Sequence, residues 1–152
     1  MLDKMLKNLV PVLTILGAVF AFSPNVAQAL EGHNLVIQVN DNDPEKMTLA
    51  LNNAANVDAY YKAKGEDVNI EIITYGPGLT MLIAGKSPVA DRIASFEQNF
   101  DNISFQACNN TKTKMEKKSG KPVALLPQAK ITPSGVIRLS ERQEQGWSYI
   151  RP

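Results

Sequence analysis

The chain has one cysteine, one histidine and one tryptophan in 152 residues. A lone cysteine closes no disulfide within the chain, so a crosslinked scaffold is excluded. One cysteine and one histidine also fall short of the usual ligand set of a zinc site. Ser-His or Cys-His catalysis would rest on His33. That residue precedes the first expected strand, which places it at the wrong end of a sheet for chemistry at strand-to-helix turns. No nucleotide-binding glycine pattern occurs, because Gly76-Pro77-Gly78 is too short to be one. No cofactor and no metal is expected from these residues.

Long apolar runs are scarce too. The first, Leu9 to Phe22, is 14 residues, and spanning a bilayer takes about 20. It follows Lys4 and Lys7 and ends in Ala27-Gln28-Ala29, with small residues where a signal peptidase reads. Residues 1–29 therefore read as a cleaved secretory signal, with residues 30–152 as a single domain large enough for a real core. Removing Lys4, Lys7 and Asp3 leaves no formal net charge. Neutrality argues against nucleic acid or a membrane surface as a partner. A periplasmic location and a soluble mature chain are expected.

What is present alternates. Leu35 to Val39 is a buried-type strand. Asp43 as N-cap, Pro44 and Glu45 open a helix whose buried face is Met47, Ala50, Leu51, Ala54, Val57 and Tyr61, and Gly65 ends it. Val68 to Tyr75 is the second strand, broken by Gly76-Pro77-Gly78 before a short helix from Leu79 to Ala84. Ser87-Pro88 is expected to open another helix, with Val89, Ile93, Phe96 and Phe100 on one face. Ile103 to Ala107 is a third strand, and Asn109 to Lys118 a helix closed by Gly120. Val123 to Leu126 and Lys130 to Thr132 are weaker strand candidates. Pro133-Ser134 starts a last helix, Gly146 stops it, and Trp147 to Ile150 is extended.

Strands alternating with helices predict a three-layer α/β/α sandwich around a mostly parallel sheet of about five strands. Right-handed crossovers gather the strand-to-helix turns on one edge, where ligands of open α/β sheets bind. Cys108 lies in such a turn, immediately before a helix. A thiol reacts as thiolate, and free N–H groups at a helix start, here those of Asn110 and Thr111, stabilise the anion. Lys112, Lys114, Lys117, Lys118 and Lys121 follow with Glu116 as the lone acid among them. They form either a solvated helix face or a source of positive potential for the sulfur and for anionic sulfur species. Gly76 and Gly78 read as a tight turn that lets backbone approach this site. The ordinary alternative for Cys108 is a small apolar core residue. Met47, Met81 and Met115 after neighbouring turns raise a soft Cu(I) site with Cys108, against the commoner role of methionine as core filling.

Several of these residues in this order resemble the DsrE/DsrF-like family of sulfur-relay proteins, in its exported single-domain branch. The resemblance runs from about His33 to Pro152. It rests on Asp43-Pro44-Glu45-Lys46, Ala50-Leu51-Asn52-Asn53, Gly76-Pro77-Gly78-Leu79 and Phe105-Gln106-Ala107-Cys108 with Asn110-Thr111. It continues through Pro133-Ser134-Gly135-Val136 to Gly146-Trp147, Tyr149-Ile150 and Pro152. Asn109 stands where the family often has glycine. The resemblance implies homotrimers or homohexamers and a Cys108 that carries sulfane sulfur as a persulfide. Gly76, Gly78, Asn110, Thr111 and Lys112 would then form its surroundings. Sulfur donor and acceptor proteins, or small sulfur anions, would be the partners. The competing expectation is a non-catalytic oligomeric accessory protein, or a thiol-based metal or redox sensor.

Overall fold

The computed structural model describes residues 32–152; the expected leader, residues 1–29, lies outside them. Among the described residues, four helices and five strands alternate. They are β1 (His33–Val39), α1 (Pro44–Lys64), β2 (Val68–Thr74), α2 (Ala90–Asn99), β3 (Ile103–Cys108), α3 (Asn109–Ser119), β4 (Ala129–Thr132), α4 (Gly135–Glu144) and β5 (Ser148–Ile150). A 3-10 segment, Gly76–Leu82, follows β2. All strand pairings are parallel, in the order β4-β3-β2-β1-β5. The three-layer α/β/α architecture expected from the alternation is the one observed.

Local chemistry explains the best-defined boundaries. The Asp43 carboxylate accepts from the N–H groups of Glu45 and Lys46 and starts α1, and Gly65 at φ 71° ends it. Such a cap is worth about 1 kcal/mol. Gly120 at φ 65° closes α3 in the same left-handed manner.

The two faces of the sheet are unequal. Leu35, Ile37, Val39, Ile70, Ile72, Ile103 and Phe105 form one core with Met47, Leu51, Ile93 and Phe96 from α1 and α2, and Met115 of α3 packs against it. The opposite face holds a smaller apolar cluster, Val36 and Ile73 with Leu139 of α4, flanked by Tyr75 and Trp147. Strand order accounts for this asymmetry. Three right-handed crossovers step from β1 toward β4 and lay α1 to α3 on one side; the return to β5 lays α4 alone on the other.

Three expectations are corrected. The helix expected at Ser87-Pro88 begins at Ala90: Ser87 Oγ accepts from Val89 N–H in a turn that precedes it. Val123 to Leu126 forms no strand. Leu125 makes one antiparallel bridge to Ile83, and Pro127 ends the approach to the sheet before β4 begins at Ala129. The short helix expected over Leu79 to Ala84 is a 3-10 turn that starts earlier, at Gly76.

Candidate functional site

Parity along β3 decides where Cys108 points. Ile103, Phe105 and Ala107 face the three-helix side, so Ser104, Gln106 and Cys108 face α4. The sulfur therefore lies between the last residue of β3 and the start of α4, and Cys108 is only 4% exposed. A Cβ built on Gly135 would come within 3.3 Å of the Cys108 Cβ and 3.0 Å of the Tyr75 Cβ. Gly135 is glycine because α4 begins in contact with both.

Two helix N-termini thus converge on one sulfur. Cys108 is the N-cap of α3, and its thiol closes no side-chain cap of the Asp43 kind. Donors instead gather around it. Burial pushes the thiol up and is the largest single influence; the Thr111 hydroxyl and the N–H groups of Gly135, Thr111 and Asn110 act against it and outweigh it. The thiol is held below its ordinary value, which favours the thiolate. The Asn110 N–H also donates to the Pro133 carbonyl at 3.2 Å, which ties the β3–α3 and β4–α4 turns together.

The glycines expected at the site have separate tasks. Gly76 takes φ 54°, and its N–H donates to Thr111 Oγ1 at 3.0 Å. The threonine oxygen accepts there, so its hydroxyl proton stays available to the sulfur, whose charged form the same hydroxyl favours. Gly78 packs on the end of β1, where a Cβ would sit 2.4 Å from the Val39 carbonyl oxygen. Gly76, Thr111, Cys108 and Asn110 are brought together; Gly78 supports the turn from behind.

Lys112 is placed differently from the expectation. Its ammonium pairs with Glu116 one turn along α3 at 2.6 Å and is not directed at the sulfur. Lys114 and Lys118 instead border a cleft of ≈ 660 Å³ beside Thr111, Tyr75, Gly76, Pro77 and Met115. The soft-metal arrangement is not formed. Met47 and Met81 are buried in the three-helix core with Met115 packed against it, on the other side of the sheet from the sulfur. His33 stacks on Tyr61 at 3.7 Å and pairs with Glu66, at the amino edge far from Cys108.

A further polar cluster escapes sequence reasoning. Glu71 on β2 is 6% exposed beneath α4. Arg138 binds it through both Nε, at 2.9 Å, and Nη2, at 2.6 Å, and Arg142 adds a third contact. Burial alone would raise the Glu71 carboxyl, but the two guanidiniums hold it below its usual range. Arg142 also lies over the Trp147 ring at 4.3 Å. This cluster clamps α4, and with it Gly135, onto the sheet.

The fold recurs in a solved structure. A protein of unknown function, MTH1491 from Methanobacterium thermoautotrophicum, is 27% identical and superposes with a TM-score of 0.67, covering 79% of this chain and 99% of that one. No family model matches the chain, and no curated protein matches it.

Proposed function

We propose that this protein is an exported sulfur carrier of the DsrE/DsrF-like kind, with Cys108 as the carrying residue. The observation that carries the reading is the position of Cys108, at the carboxyl edge of the sheet between the starts of α3 and α4, where the Thr111 hydroxyl and neighbouring N–H groups favour its thiolate. The thiolate attacks the outer sulfur of a donor persulfide. A new S–S bond forms on Cys108, the donor's S–S bond breaks, and the donor leaves as a thiolate. An acceptor thiolate then takes the terminal sulfur from Cys108 by the same exchange, and Cys108 leaves as the thiolate its donors favour. No external oxidant, metal or general base is required, because the sulfane oxidation level passes along unchanged.

Self-association belongs to the proposal. Ile131, Val136 and Ile137 are exposed apolar side chains, on β4 and the first turn of α4, next to the Cys108 corner. A second copy covering them would border the site.

The burial of Cys108 favours a second reading, in which the thiol is structural and the protein is an accessory module. Intact mass after exposure to a sulfane-sulfur donor separates the two. Sulfur transfer predicts a reducible gain of one or more sulfur atoms that Cys108→Ser lacks. No gain, under conditions that load a control thiol, favours the accessory reading.

A further inference from the structure

We infer that the cleft beside α3 binds a small organic anion, its carboxylate held between Lys114 and Lys118 and its stem lying on Pro77 and Met115. Thr111, Lys114, Met115 and Lys118 all line this cleft from α3, at the three- and four-residue spacing that places side chains on one helix face. Both lysines are exposed, and among the described residues neither makes an ion pair. Lys112 differs, because Glu116 neutralises it. Two free ammonium groups one turn apart thus face a concave surface with no carboxylate in its lining.

The rest of the lining selects the ligand class. Tyr75, Pro77 and Met115 give an apolar wall that an inorganic oxyanion would leave uncovered. The Gly76 N–H, the natural donor to such an oxyanion, is already given to Thr111. A volume of ≈ 660 Å³ falls in the range of about 300–1,000 Å³ usual for small-molecule sites. The fit is to a carboxylate-bearing molecule of small-peptide size with an apolar or sulfur-containing middle.

Thr111 joins this cleft to the sulfur, since its backbone and hydroxyl act on Cys108 while its side chain lines the cleft. Low-molecular-weight thiols and persulfides with carboxylates are therefore the class assigned to the cleft, a step that rests on the sulfur-carrier reading. The binding itself does not.

S-methylglutathione is a suitable probe because it has two carboxylates and a blocked sulfur that cannot react with Cys108. Titrated into the purified protein and followed by backbone amide shifts, it should saturate in the millimolar range, moving Thr111, Lys114 and Met115. Added salt should weaken it. Lys114→Gln combined with Lys118→Gln should weaken it about tenfold, and Cys108→Ser should leave it unchanged. Because the probe transfers no sulfur, failure to bind condemns the cleft assignment and leaves the carrier reading to the mass measurement. Absence of saturation, equal binding by the double variant, or shifts centred elsewhere would overturn the inference. So would binding of a long acidic peptide in place of the tripeptide, which would make the face a protein-docking surface.

Discussion

The Thr111 hydroxyl accepts the Gly76 N–H at 3.0 Å, joining the turn after β2 to the first turn of α3. That bond has two consequences. It fixes the glycine turn against the neighbouring strand end, and it leaves the threonine hydroxyl proton available to Cys108.

Thr111→Val keeps the shape and removes both functions. The Gly76 N–H loses its partner, at a cost of about 1–3 kcal/mol. The alkylation midpoint of Cys108 should rise with it. Thr111→Ser should restore most of the midpoint, and equal midpoints in the valine and serine variants would show that the hydroxyl does not act on the sulfur.

Gly135 and Gly78 should resist alanine for steric reasons. At an ordinary helix position glycine to alanine gains about 0.5–1 kcal/mol. In Gly135→Ala the new Cβ meets Tyr75 and Cys108, and overpacking costs about 1–3 kcal/mol. Gly78→Ala should be worse, since its Cβ would overlap the Val39 carbonyl. Urea denaturation checks the order: Gly78→Ala least stable, Gly135→Ala next, wild type most stable. A stabilised Gly135→Ala would contradict the packing.

The clamp under α4 predicts an acid-sensitive stability. The Glu71 carboxyl is depressed in the folded protein, so its contribution is full above the unfolded carboxylate pKa and disappears as pH falls through the lower folded value. Arg138→Met should cost about 1.5–3 kcal/mol at neutral pH. Its deficit relative to wild type should shrink in acid, as Glu71 protonates in both proteins. A deficit that stays constant to the lowest pH would mean that the ion pair does not hold the helix.

Export can be checked directly. The exported protein should begin at Leu30, and N-terminal sequencing that recovers Met1 would contradict cleavage after Ala29.

How much of this was legible follows from the kind of signal each residue gives. Asp43-Pro44 and Gly65 bound α1 by local chemistry, so sequence suffices there. Ser87-Pro88 has the same pattern of a capping residue followed by proline, but Pro88 and Val89 complete a turn before α2 starts. Local chemistry alone does not distinguish the two outcomes. Val123 to Leu126 has strand-like composition without a strand beside it beyond the Ile83 bridge. At the site, Cys108, Gly76 and Thr111 could be found because each lies in a strand-to-helix turn on one edge. Gly135 lies in the last such turn, yet its nearness to the sulfur depends on α4 crossing the opposite face. Glu71 was invisible for a similar reason: its partners Arg138 and Arg142 share a helix face 67 and 71 residues away. The lysine run showed its charge in the sequence, but not that Glu116 would claim Lys112 and leave Lys114 and Lys118 to the cleft.

The central claim is that backbone and hydroxyl donors, rather than the lysines, keep Cys108 ready as a thiolate. The most direct measurement is the pH dependence of its alkylation by a small neutral reagent, in the wild type and in Lys112→Gln combined with Lys114→Gln. The account predicts a midpoint below the ordinary thiol value of about 8.5 and unchanged by the two substitutions. A midpoint at or above that of a free model thiol would contradict it, and a midpoint that rises when the lysines are removed would transfer the effect to them.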